Sequence, residues 1–155
     1  NRDFANGRKM AGAGTCYVCH RFKGEGGAVG PDLSSAGGKF SAYDLLESII
    51  DPGKEISDQY GASNFEMKDG TVVSGRIMNL TEKLYHVNTD MMQPSTITFV
   101  PVDELESIEP SPISLMPPGL INTMSEEDVL DLLVYFISGG DPKHPAFSND
   151  DLRKR

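Results

Sequence analysis

Residues 15–20 read Thr15-Cys16-Tyr17-Val18-Cys19-His20, a C-x-x-C-H cluster. Two thiols separated by two residues sit on one tight turn, where both can add across the vinyl groups of a single porphyrin. A histidine directly after the second cysteine then falls beneath the iron, where its imidazole can serve as proximal ligand. The spacing therefore points to one covalent haem c, attached through Cys16 and Cys19 with His20 on the metal. Two other chemistries use the same residue types. A structural zinc site on Cys16, Cys19 and His20 needs a fourth ligand in closed geometry. The chain has no further cysteine, and its other histidines are His86 and His144. A thioredoxin-like redox pair needs a βαβ setting, which the sequence around the motif lacks.

The downstream segment fits the first reading. Residues 24–33 run Gly24-Glu25-Gly26-Gly27-Ala28-Val29-Gly30-Pro31-Asp32-Leu33. A proximal imidazole is normally fixed by a hydrogen bond from its second ring nitrogen to a carbonyl. Proline offers a carbonyl without a competing N–H, so the Pro31 carbonyl is the expected partner of His20. The glycines allow the backbone to lie close to a flat macrocycle, although an ordinary glycine-rich loop has the same composition. A dinucleotide fingerprint does not fit, because Val29 stands where the third glycine belongs and no strand precedes it.

A sixth iron ligand is sought among seven methionines. Most methionines fill cores or lie on surfaces. Met116 differs, since Pro110, Pro112, Pro117 and Pro118 surround it. These prolines forbid a helix and stiffen an extended loop that can hold a thioether toward iron at low entropic cost. Met116 is the expected ligand. Met91-Met92, a bis-histidine site through His86 or His144, and an open sixth position are the alternatives.

Together, Cys16–Phe22, Gly24–Gly27, Gly30–Leu33, Phe40-Ser41, Asp44–Ile49, Asp51-Pro52 and Ser114–Leu120 resemble the mono-haem class I cytochrome c domains of the planctomycete and verrucomicrobial type, over roughly residues 5–138. The resemblance implies a mainly α fold packed around covalent haem, His/Met axial ligation, and a small antiparallel β insertion between the two ligands. It also implies that the first and last helices cross closely with a glycine against an aromatic, here Gly7 against Tyr135 or Phe136. The small, glycine-rich entry Ala11–Thr15 departs from the pattern and is expected to be looser.

The elements that must position these residues are punctuated in the sequence. Asp3 caps a first helix with Phe4, Gly7, Met10 and Ala11 near one face. Ser41 and Asp44 open a second, which Asp51-Pro52-Gly53 ends. Its apolar face is Ala42, Leu45, Leu46, Ile49 and Ile50. Ser125 caps the last helix, Glu126, Glu127 and Asp128 complement its dipole, and Gly139-Gly140 stop it. Val129, Leu132, Leu133, Phe136 and Ile137 form its inward stripe. Between residues 58 and 110 the period becomes two, and Asp69-Gly70 signals a hairpin. Strands are expected near 65–68, 71–78, 84–89, 96–102 and 105–108, as a meander of about five strands with a bulge at Gly75. Residues 1–140 read as a single domain with 58–110 inserted in it, and 141–155 as a polar tail or linker ending in Arg153-Lys154-Arg155.

Composition bounds the function. Lys plus Arg number 14 against 23 Asp plus Glu, a net charge of -9. Such a chain is a poor general binder of nucleic acid. No apolar run is long enough to span a membrane. Between residues 58 and 110 no acid, base or nucleophile cluster converges, so that segment reads as a structural insert or a docking surface, and the chain is expected to be an electron carrier rather than an enzyme. The expected activity is one-electron transfer, as a carrier or as the electron-entry domain of a larger redox protein, with transient encounters with redox partner proteins. Tyr17, Val18 and the loop around Ala28 are the expected contact edge, and Tyr60 or Arg76 are candidate propionate contacts. A haem sensor or a peroxidase-like enzyme with a displaceable distal Met is the alternative. Haem is coupled to C-x-x-C-H outside the cytoplasmic membrane, so a periplasmic or otherwise exported location is expected. The chain begins at Asn1 rather than Met, as a processed or excised fragment would.

Overall fold

The computed structural model describes residues 1–147. The chain divides into two compact units, Gly53–Pro117 and the remainder formed by Asn1–Pro52 with Pro118 onward. The first and last helices belong to the same unit although more than a hundred residues separate them.

That unit is built on α1 (Phe4–Ala13) and α4 (Glu126–Ile137), which pack together. The Asp3 side chain caps α1 by accepting from Asn6 N. Both α3 (Ala42–Ile50) and α4 begin with a capping box, Ser41 with Asp44 and Ser125 with Asp128. In each box the serine hydroxyl and the carboxylate satisfy two N–H groups that a helix start leaves unpaired. The crossing needs Gly7, because a Cβ there would stand 2.8 Å from Tyr135 Cβ and closer still to the Asp131 carbonyl. Met10, Ala11, Phe22, Leu132, Tyr135 and Phe136 form the buried core. The expected inward stripe of α4 omitted Tyr135 and Asp131, which are 5% and 6% exposed. Asp131 is admitted because its carboxylate accepts from Asp3 N and Asn6 Nδ2, both at 3.0 Å. Buried carboxylates require such partners. Arg2 adds ion pairs to Glu127 and Asp131.

A small hairpin, β1 (Arg21–Phe22) with β2 (Glu25–Gly26), follows the one-turn helix α2 (Cys16–Cys19). Lys23 and Gly24 turn it with φ of 51° and 84°, the left-handed pair that a two-residue hairpin demands. Of the expected polar tail, residues 145–147 form a 3-10 turn whose Phe147 meets Phe4 edge-on at 5.4 Å. The basic end Arg153-Lys154-Arg155 lies outside the described residues.

The second unit is one antiparallel sheet of β3 (Ser63–Met67), β4 (Val72–Leu80), β5 (Leu84–Asn88), β6 (Ile97–Pro101) and β7 (Leu105–Pro110). The expected mainly α fold is corrected here, since the chain is 30% helix and 23% strand. Alternating Val, Ile, Phe and Tyr between residues 63 and 110 builds a full sheet with its own core of Phe65, Met67, Val87 and Val100. The meander is also corrected. Strand order is β6-β5-β4-β3-β7, so β7 pairs with β3 rather than with β6. A flat sheet of five strands would separate its edges by about 19 Å. The three residues joining β6 to β7, Val102–Glu104, reach at most about 14 Å. The sheet therefore curls until its edges approach. Register is regular through Gly75 and shifts between Ile77 and Asn79 instead. Gly75 serves a close approach, as a Cβ there would stand 2.7 Å from Val87 Cγ1.

Candidate haem-binding site

Thr15 joins α1 to α2 with φ 56° and ψ 20°, a left-handed conformation unusual for a β-branched residue. The corner brings Cys16 and Cys19 onto one turn, both as free thiols. His20 N donates to Cys16 O at 2.9 Å and Gly27 N to Tyr17 O at 2.8 Å. Gly30 N donates to Cys19 O at 2.7 Å. These bonds fold the glycine-rich loop back over the cysteine turn.

The loop delivers the Pro31 carbonyl to His20. His20 Nδ1 lies 2.7 Å from Pro31 O, and since a carbonyl only accepts, Nδ1 carries the proton. That tautomer leaves a lone pair on Nε2, the atom a metal would take. Gly30 lies flat against the ring, where a Cβ would stand 2.8 Å from Cε1 and 2.9 Å from Nδ1. Burial lowers the His20 pKa, and the bond to Pro31 works in the opposite direction. Burial pushes the Cys16 thiol up to about 11 and raises Cys19 as well. In the bare polypeptide both sulfurs remain protonated at neutral pH.

Helix α3 supplies a further indication. It is amphipathic, yet it has no buried residue. Leu45, Leu46 and Ile49 are half-buried and Ile50 is exposed. An apolar helix face left open in the same unit as a pair of thiols and an imidazole with one free nitrogen fits a flat apolar macrocycle with a metal at its centre. The donor set and the open face together match a c-type haem.

Of the remaining expected residues, Met116, Met91, Met92, His86, Tyr60 and Arg76 lie in the sheet unit, and His144 in the helical one. Met116 is half-buried in a non-helical loop, with its N–H on Ser114 Oγ at 3.1 Å. It belongs to the Gly53–Pro117 unit, whereas Cys16, Cys19, His20 and Pro31 are brought together in the other. Of the alternatives, Met92 is 64% exposed and His86 stacks edge-on against Phe99 at 4.9 Å. His144 Nδ1 accepts from Ala146 N. Arg76 lies over the Tyr60 ring at 4.8 Å. Among the described residues no group of three or more His, Cys, Asp or Glu is placed to hold a metal ion.

One contact was not read from the sequence. Tyr17 OH lies 2.8 Å from Tyr135 OH, across 118 residues of chain. Burial and the bond to Tyr135 raise the Tyr17 pKa. Two tyrosines, one within the motif and one on the core face of the last helix, were the available signal.

The site's geometry is that of a haem protein of the c type, and family comparison agrees. The sequence profile described as cytochrome c matches residues 4–83. The chain belongs to the cytochrome c family, and with it comes one covalently bound c-type haem and haem-based electron transfer. A comparison with curated proteins gave no match. No helix among the described residues is long and apolar enough to cross a membrane.

Proposed function

We propose that the chain transfers single electrons through a haem held by thioethers to Cys16 and Cys19, with His20 and Met116 as axial ligands. The supporting observation is the 2.7 Å bond from His20 Nδ1 to Pro31 O, which orients the imidazole and frees Nε2. When bound, the haem supplies an iron centre that accepts and releases one electron. Pro31 fixes the tautomer and, by accepting the hydrogen bond from Nδ1–H, makes the Nε2 lone pair a better ligand. Gly30 packs against the ring and limits its rotation. Leu45, Leu46 and Ile49 keep water from one side of the site. Met116 contributes a soft thioether, which favours the reduced state and raises the potential relative to a second histidine.

In this reading residues 1–140 are one cytochrome c domain and the β-rich stretch is an insertion in it. The protein is exported, meets redox partner proteins transiently, and acts as a carrier or as the electron-entry part of a larger redox protein. The test is direct. A pyridine haemochrome spectrum and a mass increased by one haem establish attachment. Met116→Ala is then expected to abolish the weak sulfur-to-iron absorption band in the red and to lower the midpoint potential. Survival of the band would remove Met116 from the iron. Rapid, tight carbon monoxide binding to the reduced wild-type protein at neutral pH would overturn the carrier reading in favour of a displaceable sixth ligand.

A further inference from the structure

The two residues between Cys16 and Cys19 make no bond to haem in this reading, yet they are placed very differently. Val18 is 37% exposed. Tyr17 instead directs its hydroxyl to that of Tyr135 at 2.8 Å. Tyr135 is 5% exposed and its ring packs on Phe4, Phe22 and Phe136 at centroid distances of 5.3, 5.1 and 5.5 Å. Its Cβ faces Gly7 at the helix crossing. The Tyr135 hydroxyl is thus carried by the most firmly packed part of its unit.

Helix α2 is a single turn, too short to hold its own orientation. Its backbone bonds to His20, Gly27 and Gly30 run to the loop that follows it. They fix the turn relative to that loop, not relative to α4. The tyrosine pair makes the second connection, from the middle of the attachment turn to the last helix. The Tyr135 hydroxyl, carried by a buried ring among aromatic rings, needs a partner, and Tyr17 supplies it. Cys16 and Cys19 flank Tyr17, and His20 follows in the next turn of chain. Any change in the tilt of α2 against α4 therefore moves both sulfurs and the imidazole together.

Resting on the reading that Cys16, Cys19 and His20 hold haem, we propose that the Tyr17–Tyr135 hydroxyl pair is a positioning latch. It sets the tilt of the attachment turn against α4 and so tunes the axial imidazole and the reduction potential. Neither tyrosine is assigned contact with the iron; both act through the placement of His20.

The experiment compares the matured holoprotein with Tyr17→Phe, Tyr135→Phe and the double variant. Phenylalanine keeps the ring and deletes the bond. Covalent haem content by haemochrome and mass is read first. A wild-type protein without covalent haem sinks the functional reading itself, separately from the latch. With haem attached, each single variant is expected to shift the midpoint potential in the same direction and to alter the signals that report imidazole orientation in electron paramagnetic resonance. The double variant is expected to go no further than the larger single, because the two hydroxyls form one bond. Tyr17→Phe retains the buried Tyr135 ring, so it reports even where Tyr135→Phe lowers the yield of folded protein. Unchanged potential and resonance with a lowered melting temperature would make the bond structural only. Additive shifts in the double variant would show two independent roles. Either result overturns the latch.

Discussion

The two units solve the same packing problem with different materials. In the sheet unit, Phe65 and Val87 are fully buried and Val100 nearly so, and the curled sheet closes over them with side chains alone. In the helical unit, α1 and α4 bury their apolar faces well, but α3 carries an apolar face on which no residue is buried. Its loop is pressed against His20 so tightly that Gly30 has no room for a methyl group. One unit is complete as polypeptide. The other is complete only with a group that the polypeptide does not encode.

The largest effect should follow from denying the helical unit that group. Cys16→Ala with Cys19→Ala is expected to leave amide-exchange protection around Phe65, Val87 and Val100 intact while protection across α3 collapses. Equal protection in both regions would erase the contrast. The converse break is Phe65→Ala, which removes a fully buried ring. It should cost the sheet unit about 3–5 kcal/mol in a denaturant titration, while the haem stays covalently attached.

Gly30→Ala comes next. A Cβ pressed 2.8 Å from the imidazole must displace the ring or the loop, at about 1–3 kcal/mol. Lower stability and a shifted spectrum are expected together, since the same movement stretches the bond to Pro31. The smallest effect concerns the caps. The Ser41 hydroxyl and N–H hold the Asp44 carboxyl below the ordinary value of 3.8, and Asn6 with Ser125 does the same for Asp128. A carboxyl with a lowered folded-state pKa contributes stability above the unfolded value and loses it as pH falls through the folded value. Asp44→Asn and Asp128→Asn should each lower stability near neutrality and flatten its fall on the acid side of pH 3.8, so that variant and wild type converge at low pH. Both groups are solvent-facing, so the slopes will be shallow and will be read best by following thermal midpoint against pH.

Local chemistry was legible in the sequence. Ser41 with Asp44, Ser125 with Asp128, and the Asp69-Gly70 turn each declare themselves within four residues, and the structure carries all three. Gly7 against Tyr135 was legible through the family resemblance. Long-range pairing was not. Nothing in Leu105–Pro110 distinguishes β3 from β6 as its neighbour, because a period of two specifies a face and not a partner. The burial of Asp131 was not legible either, since its partners Asp3 and Asn6 lie at the other end of the chain. The weight given to the helices around Cys16 and His20 also hid how much strand the chain contains. Within the candidate site, the contact of His20 with the Pro31 carbonyl was legible in the sequence. The tyrosine contact was not, because only the fold brings residues 17 and 135 together.

Thr15 carries one more consequence. A β-branched residue at φ 56° is disfavoured by about 1–2 kcal/mol, so a chain without its tertiary contacts seldom makes that corner. The corner that presents the two thiols is therefore held by the packing around it, the seating of the first helix against the last included, and not by local preference.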